Sequence, residues 1–102
     1  MFKFLRPQQV EHSEGYLVQT KDRHTIQYIE NGWVAEIGAE FGPVSELFGR
    51  TLKTWTKGGR EEQVPEGRRI EILERARAGL SMIMRGPVEI KGLPASNRQE
   101  PG

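Results

Sequence analysis

The sequence predicts an α+β protein: a curved antiparallel sheet, built as a four-stranded meander plus a short C-terminal strand, with one long helix packed on one face. Three observations predict it. Asn31-Gly32 divides two alternating segments, the hydrophobic period changes from two to between three and four after Pro65, and Val88-Glu89-Ile90-Lys91 returns to strand character at the end. A chain of 102 residues is long enough for one such core and too short for two.

The elements follow in order. Residues 1–14 are aperiodic and are expected to form a flexible segment ahead of a single domain spanning 15–92, with 93–102 a second flexible, polar and Pro-containing tail. Tyr16 to Thr20 reads as a strand, joined by a charged connection to Thr25. From Thr25 to Phe41 the Asn31-Gly32 pair suits a type I′ turn, which sets Glu30 opposite Trp33, Ile29 opposite Val34, Tyr28 opposite Ala35 and Ile26 opposite Ile37. In that register Ile26, Tyr28, Trp33, Ala35 and Ile37 share a core face, and Gln27 and Glu36 share the other. Ile29 and Val34 are the apolar exception on the polar face.

Gly42-Pro43 breaks the chain, and Glu46 to Trp55 is expected as a fourth strand with a bulge at Gly49. Beyond Pro65, residues Ile70, Leu73, Ala76, Leu80 and Ile83 recur at steps of three and four, so a helix of about 30 Å is expected to end at Gly86-Pro87. Glu71 and Arg75 add a favourable pair at its surface.

Composition narrows the function. Fifteen basic and fourteen acidic side chains leave a net charge of +1, so any charged recognition must be local. With no cysteine, thiolate metal sites and cysteine nucleophiles are excluded, and the His and Asp spacings fit no metal motif, so no metal or cofactor is expected. The N-terminus lacks the apolar run of a signal peptide and no segment is apolar enough to span a membrane, which suggests a cytoplasmic protein without membrane contact.

No catalytic group is expected either. Glu11-His12-Ser13-Glu14 gathers acid, base and hydroxyl in the segment read as flexible, and Asp22 with His24 suits a polar turn. Gly58-Gly59-Arg60 lacks the spacing of a phosphate loop. Arg60, Arg68, Arg69, Arg75, Arg77 and Arg85 suggest a stripe for nucleic acid, but interleaved glutamates cancel much of its field. Trp33 is expected in the core, whereas Trp55 either caps the core under the helix or anchors a partner.

The stretches "GAEFGPVSELFGRTLKTW" (38–55), "RRIEILERARAGL" (68–80) and "PVEIKG" (87–92) resemble a small family of immunity proteins from bacterial polymorphic toxin systems. The resemblance covers roughly residues 15 to 92. It implies a non-enzymatic protein that neutralises a cognate toxin by stoichiometric association. The chain departs from that pattern after Trp55, where Thr56-Lys57-Gly58-Gly59 replaces an expected proline-containing acidic loop. The partner-binding residues expected are Ile29 and Val34 on the outer sheet face, with Trp55, Arg60, Glu61 and Glu62 on the loop before the helix. The alternatives are a nucleic-acid-binding or regulatory module using the arginine-rich helix, and a homodimer through a free sheet edge.

Overall fold

The computed structural model describes residues 1–92, so the tail expected at 93–102 lies outside the described residues. Among the described residues, nine strands and one α-helix run in the order β1 (Phe2–Arg6), β2 (Gln9–His12), β3 (Tyr16–Asp22), β4 (Thr25–Glu30), β5 (Trp33–Glu40), β6 (Ser45–Phe48), β7 (Thr54–Lys57), β8 (Arg60–Gln63), α1 (Glu66–Met84) and β9 (Val88–Lys91). All nine strands join one sheet of order β1-β2-β3-β4-β5-β6-β9, and a β7–β8 hairpin is attached to β5.

The central hairpin has the expected register. Glu30 faces Trp33, Ile29 faces Val34, Tyr28 faces Ala35 and Ile26 faces Ile37. Asn31 and Gly32 have φ of 54° and 82°, the left-handed pair that a type I′ turn requires. Ile26, Tyr28, Ala35 and Ile37 are fully buried on the face that α1 covers.

Three features differ from the sequence expectation. The first fourteen residues, expected to be flexible, supply β1 and β2, whose Val10 lies opposite Val18 and is fully buried. Their strands are too short for a legible alternation, yet adding them to the β3 edge satisfies backbone groups that would otherwise be unpaired.

The fourth strand is also divided. β6 pairs with β5 from Gly38 to Glu40, and β7 pairs with the same strand at Val34 and Ala35, with a 3-10 turn at Gly49–Thr51 between them. Gly49 begins that turn because a Cβ there would stand 2.9 Å from the Gly92 carbonyl oxygen. Thr51 closes the gap in the ladder: its Oγ1 accepts from Gly38 N–H at 2.7 Å and donates to Phe48 C=O at 2.6 Å. Thr51→Val should therefore cost about 1 kcal/mol of stability in urea unfolding, with the slope of the transition unchanged.

Finally, the sheet is mixed. β9 lies parallel to β6, with Ser45 opposite Val88 and Leu47 opposite Ile90, because the chain crosses the sheet along α1 before returning. The buried stripe of α1 is Ile72, Leu73, Ala76, Gly79 and Leu80. Ile70, expected among them, is 42% exposed, and the fully buried Ile72 takes its place in the stripe. The helix ends as expected: Arg85 adopts φ 57°, its N–H reaches Ser81 C=O, and Ser81 Oγ donates to Gly86 C=O at 2.8 Å. Among the described residues, no helix is long and apolar enough to cross a membrane.

Candidate protein-binding edge

The six partner-binding residues expected from sequence divide between the two faces of the sheet. Strand alternation decides which goes where. Val34, Thr56 and Glu61 lie in one cross-strand row, and Ile29 and Leu17 continue it across β4 and β3. Ala35, Trp55 and Glu62 form the neighbouring row on the opposite face, and Lys57 faces Arg60 on that same side.

On the outer face, Leu17, Ile29 and Val34 are half-buried and make a short apolar band. A ladder of amides runs beside it. Gln9 donates to Gln19, Gln19 to Gln27 at 2.7 Å, and Gln27 to the Glu36 carboxylate at 3.1 Å. Lys21 ends the ladder with a 2.7 Å ion pair to Glu36, and the hydrogen bonds of Lys21 and Gln27 hold that carboxyl below its usual range. An open depression of about 410 Å³ lies at the end of the band, lined by Val34, Glu36, Thr51, Thr54, Thr56 and Glu61. Glu61 is held there by Thr54 Oγ1 at 2.9 Å.

The other face carries the aromatic site. Trp55 is only 7% exposed and belongs to the core, which answers one alternative left open by the sequence. Trp33, expected in the core, is half-buried and stacks on Trp55 with ring centroids 5.2 Å apart. Lys57 Nζ and the Arg60 guanidinium stand 5.9 and 5.7 Å from the Trp33 ring centre. Arg60 is in turn held by Glu62 at 2.5 Å. Trp33 therefore stands as a rigid aromatic plate at the junction of two hairpin tips, with a buried ring behind it and cations around it. Sequence reasoning placed Trp33 on the correct face but missed its exposure; the available signal was its position beside the turn, where a core row runs out.

Behind this edge a polar cluster fixes α1 to the central hairpin. Glu30 accepts from Tyr28 Oη at 2.6 Å and Arg68 Nη2 at 2.8 Å, while Arg75 lies 3.3 Å from Tyr28 Oη and 3.2 Å from Glu71. Burial alone would raise the Glu30 carboxyl, but hydrogen bonds from Arg68 and Tyr28 and the two guanidinium charges outweigh it and lower its pKa. Burial, helped by the bond to Glu30, pushes the Tyr28 phenol well above its ordinary value. Arg75 also lies over the Tyr16 ring, 4.8 Å from its centre, and His12 stacks on the other side of the same aromatic run at 4.9 Å from Tyr16. Tyr28, Glu30, Arg68 and Arg75 are thus engaged with one another, and the arrangement orients the helix.

The remaining sequence candidates occupy structural positions. His12 Nδ1 accepts from Glu14 N–H at 3.0 Å, and Asp22 Oδ1 accepts from His24 N–H at 2.9 Å in the expected polar turn. Gly58 and Gly59, with φ of 58° and 85°, form the tight β7–β8 turn. No protein-family model matches the chain, and no curated protein or solved structure is significantly similar to it.

Proposed function

We propose that this chain is a non-catalytic binding protein of the immunity type, which neutralises a cognate bacterial toxin in the cytoplasm by stoichiometric association. The observation that carries the reading is Trp33, half-buried at a hairpin junction and braced by Trp55, Lys57 and Arg60. A partly exposed tryptophan on a rigid support, flanked by arginine, has the composition of an interface hot spot and loses little side-chain entropy on binding. Glu62 adds a carboxylate on that face, and Glu61, Val34 and Ile29 form a separate polar and apolar patch on the opposite face of the sheet.

A protein partner is supported over nucleic acid by the state of the helix arginines. Arg68 is paired with Glu30 and Glu71, Arg75 with Glu71 and Glu14, and Arg77 with Glu74, so their charge is largely spent within the fold. The test is co-expression with the toxin domain encoded beside this chain. Growth should be protected and a one-to-one complex recovered, while Trp33→Ala should weaken the complex roughly tenfold or more without altering the far-ultraviolet circular dichroism. Failure of the unaltered chain to protect growth or to bind would sink the proposal. Salt-sensitive retention of RNA or DNA would instead assign the edge to nucleic acid.

A further inference from the structure

We infer that β1 is a self-pairing edge through which two copies of this chain join their sheets about a two-fold axis centred on Lys3. Among the described residues the sheet has unequal free edges. β8, Arg60–Gln63, is polar and exposed along its whole length, and β9 presents Glu89 and Lys91 to solvent, two devices that discourage pairing. β1 also carries exposed charges, Lys3 and Arg6, but sets among them Phe4 and Leu5, which are 43% and 44% exposed.

The hydrogen-bond alternation of β1 decides the register. Met1 C=O accepts from Ser13 N–H at 3.0 Å, and the pairing continues with Phe2 opposite His12 and Lys3 opposite Glu11. In an antiparallel ladder such pairs alternate, so Met1 and Lys3 turn their backbone groups toward β2, and Phe2 and Phe4 turn theirs toward the open edge. The register slips between Phe4 and Arg6, which faces Gln9, so the regular open edge ends at Phe4.

A two-fold axis through Lys3 places Phe2 of one copy against Phe4 of the other, twice. Each pair exchanges N–H···O=C bonds in both directions, and all outward groups of Phe2 and Phe4 are satisfied. The phenyl rings then meet on the helix side, where aromatic cross-strand pairs are favourable. On the outer side the two Lys3 ammonium groups face each other, each with Glu11 across its own sheet. That repulsion, together with the shortness of the strand, places the dimer in the weak, concentration-dependent class, and added salt should tighten it by screening.

The experiment is sedimentation velocity of the full chain over a wide concentration and salt series, beside amide hydrogen exchange. Self-association should rise with concentration and with ionic strength, and the Phe2 and Phe4 amides should gain protection together with it. Phe4→Pro removes one outward N–H but none that β2 needs, so it should weaken the dimer roughly tenfold while the Lys3 and Glu11 amides stay protected. Lys3→Thr, which removes the like-charge contact, should strengthen it. If Phe4→Pro were to disturb β1 itself, the concentration-dependent protection of Phe2 and Phe4 in the unaltered chain decides. A chain that is monomeric at every concentration overturns the inference, as does a dimer in which those two amides remain open. Protection that appears only when a different protein is added also overturns self-pairing and assigns the edge to a foreign strand.

Discussion

Gly79→Ala is expected to destabilise the protein by about 2–3 kcal/mol, although alanine is the better helix former by roughly 1 kcal/mol. The reason is the close approach of α1 to β3. A Cβ at position 79 would stand 2.6 Å from Val18 Cγ2 and 2.7 Å from Val18 Cβ. Both atoms are fixed, since Val18 is fully buried and β-branched, so the helix must lift or tilt. Lifting would loosen Leu73, Ala76 and Leu80 together, because they pack on the same side. Urea unfolding checks the magnitude, and Val18→Ala supplies the control. In that background the Cγ contacts are gone while the Cβ contact at 2.7 Å remains, so the cost of Gly79→Ala should shrink without vanishing, and an unchanged cost would show that Val18 is not its source.

Glu30→Ala is expected to cost about 2–3 kcal/mol, from loss of a carboxylate that three groups share. Tyr28 Oη and Arg68 donate to one of its oxygens, and Arg75 lies 3.7 Å from the same atom. Removing it leaves a buried phenol without its acceptor and two guanidinium groups beside each other. Glu30→Gln should recover part of the loss, since its amide oxygen can still accept. The same carboxyl gives a pH dependence. Its pKa is lowered in the folded protein, so its stabilisation is complete above the ordinary glutamate value and is lost as the pH falls through the folded value. Stability should therefore drop on acidification below about pH 4, and the drop should be shallower in Glu30→Ala. An identical acid profile in both proteins would remove Glu30 from that role.

Different parts of this fold were legible for different physical reasons. The central hairpin could be read to the residue because a turn dipeptide and strict alternation fix the same register independently. The helix was legible in extent, but its phase was not: Ile70 fits the period as well as Ile72, and only the docking of the helix on the sheet decides between them. The interruption between β6 and β7 is governed by the carbonyls of Lys91 and Gly92 against Gly49, a contact between distant parts of the chain with no local signature. β8, with the sequence Arg-Glu-Glu-Gln, has no apolar alternation at all and becomes a strand only because the Gly58-Gly59 turn folds it onto β7. At the proposed binding edge, the residues Trp55, Arg60 and Glu62 were named from sequence, but the pleat that sends Glu61 to the other face required the pairing with β7.

The parallel pairing of β6 with β9 also governs when the protein can be finished. β1 through β5 meet their neighbours in chain order, so their ladders can form as the polypeptide leaves the ribosome. Ser45 cannot find Val88 until α1 and everything before it has been made. β9, the last of the described strands to emerge, thus completes this side of the sheet, and nascent chains must keep the β6 edge open and unspoiled until then. A search that long is entropically costly and slows folding relative to a simple meander. Delay in that final step, more than weakness of the finished fold, is where newly made molecules are most exposed to unintended strand pairing.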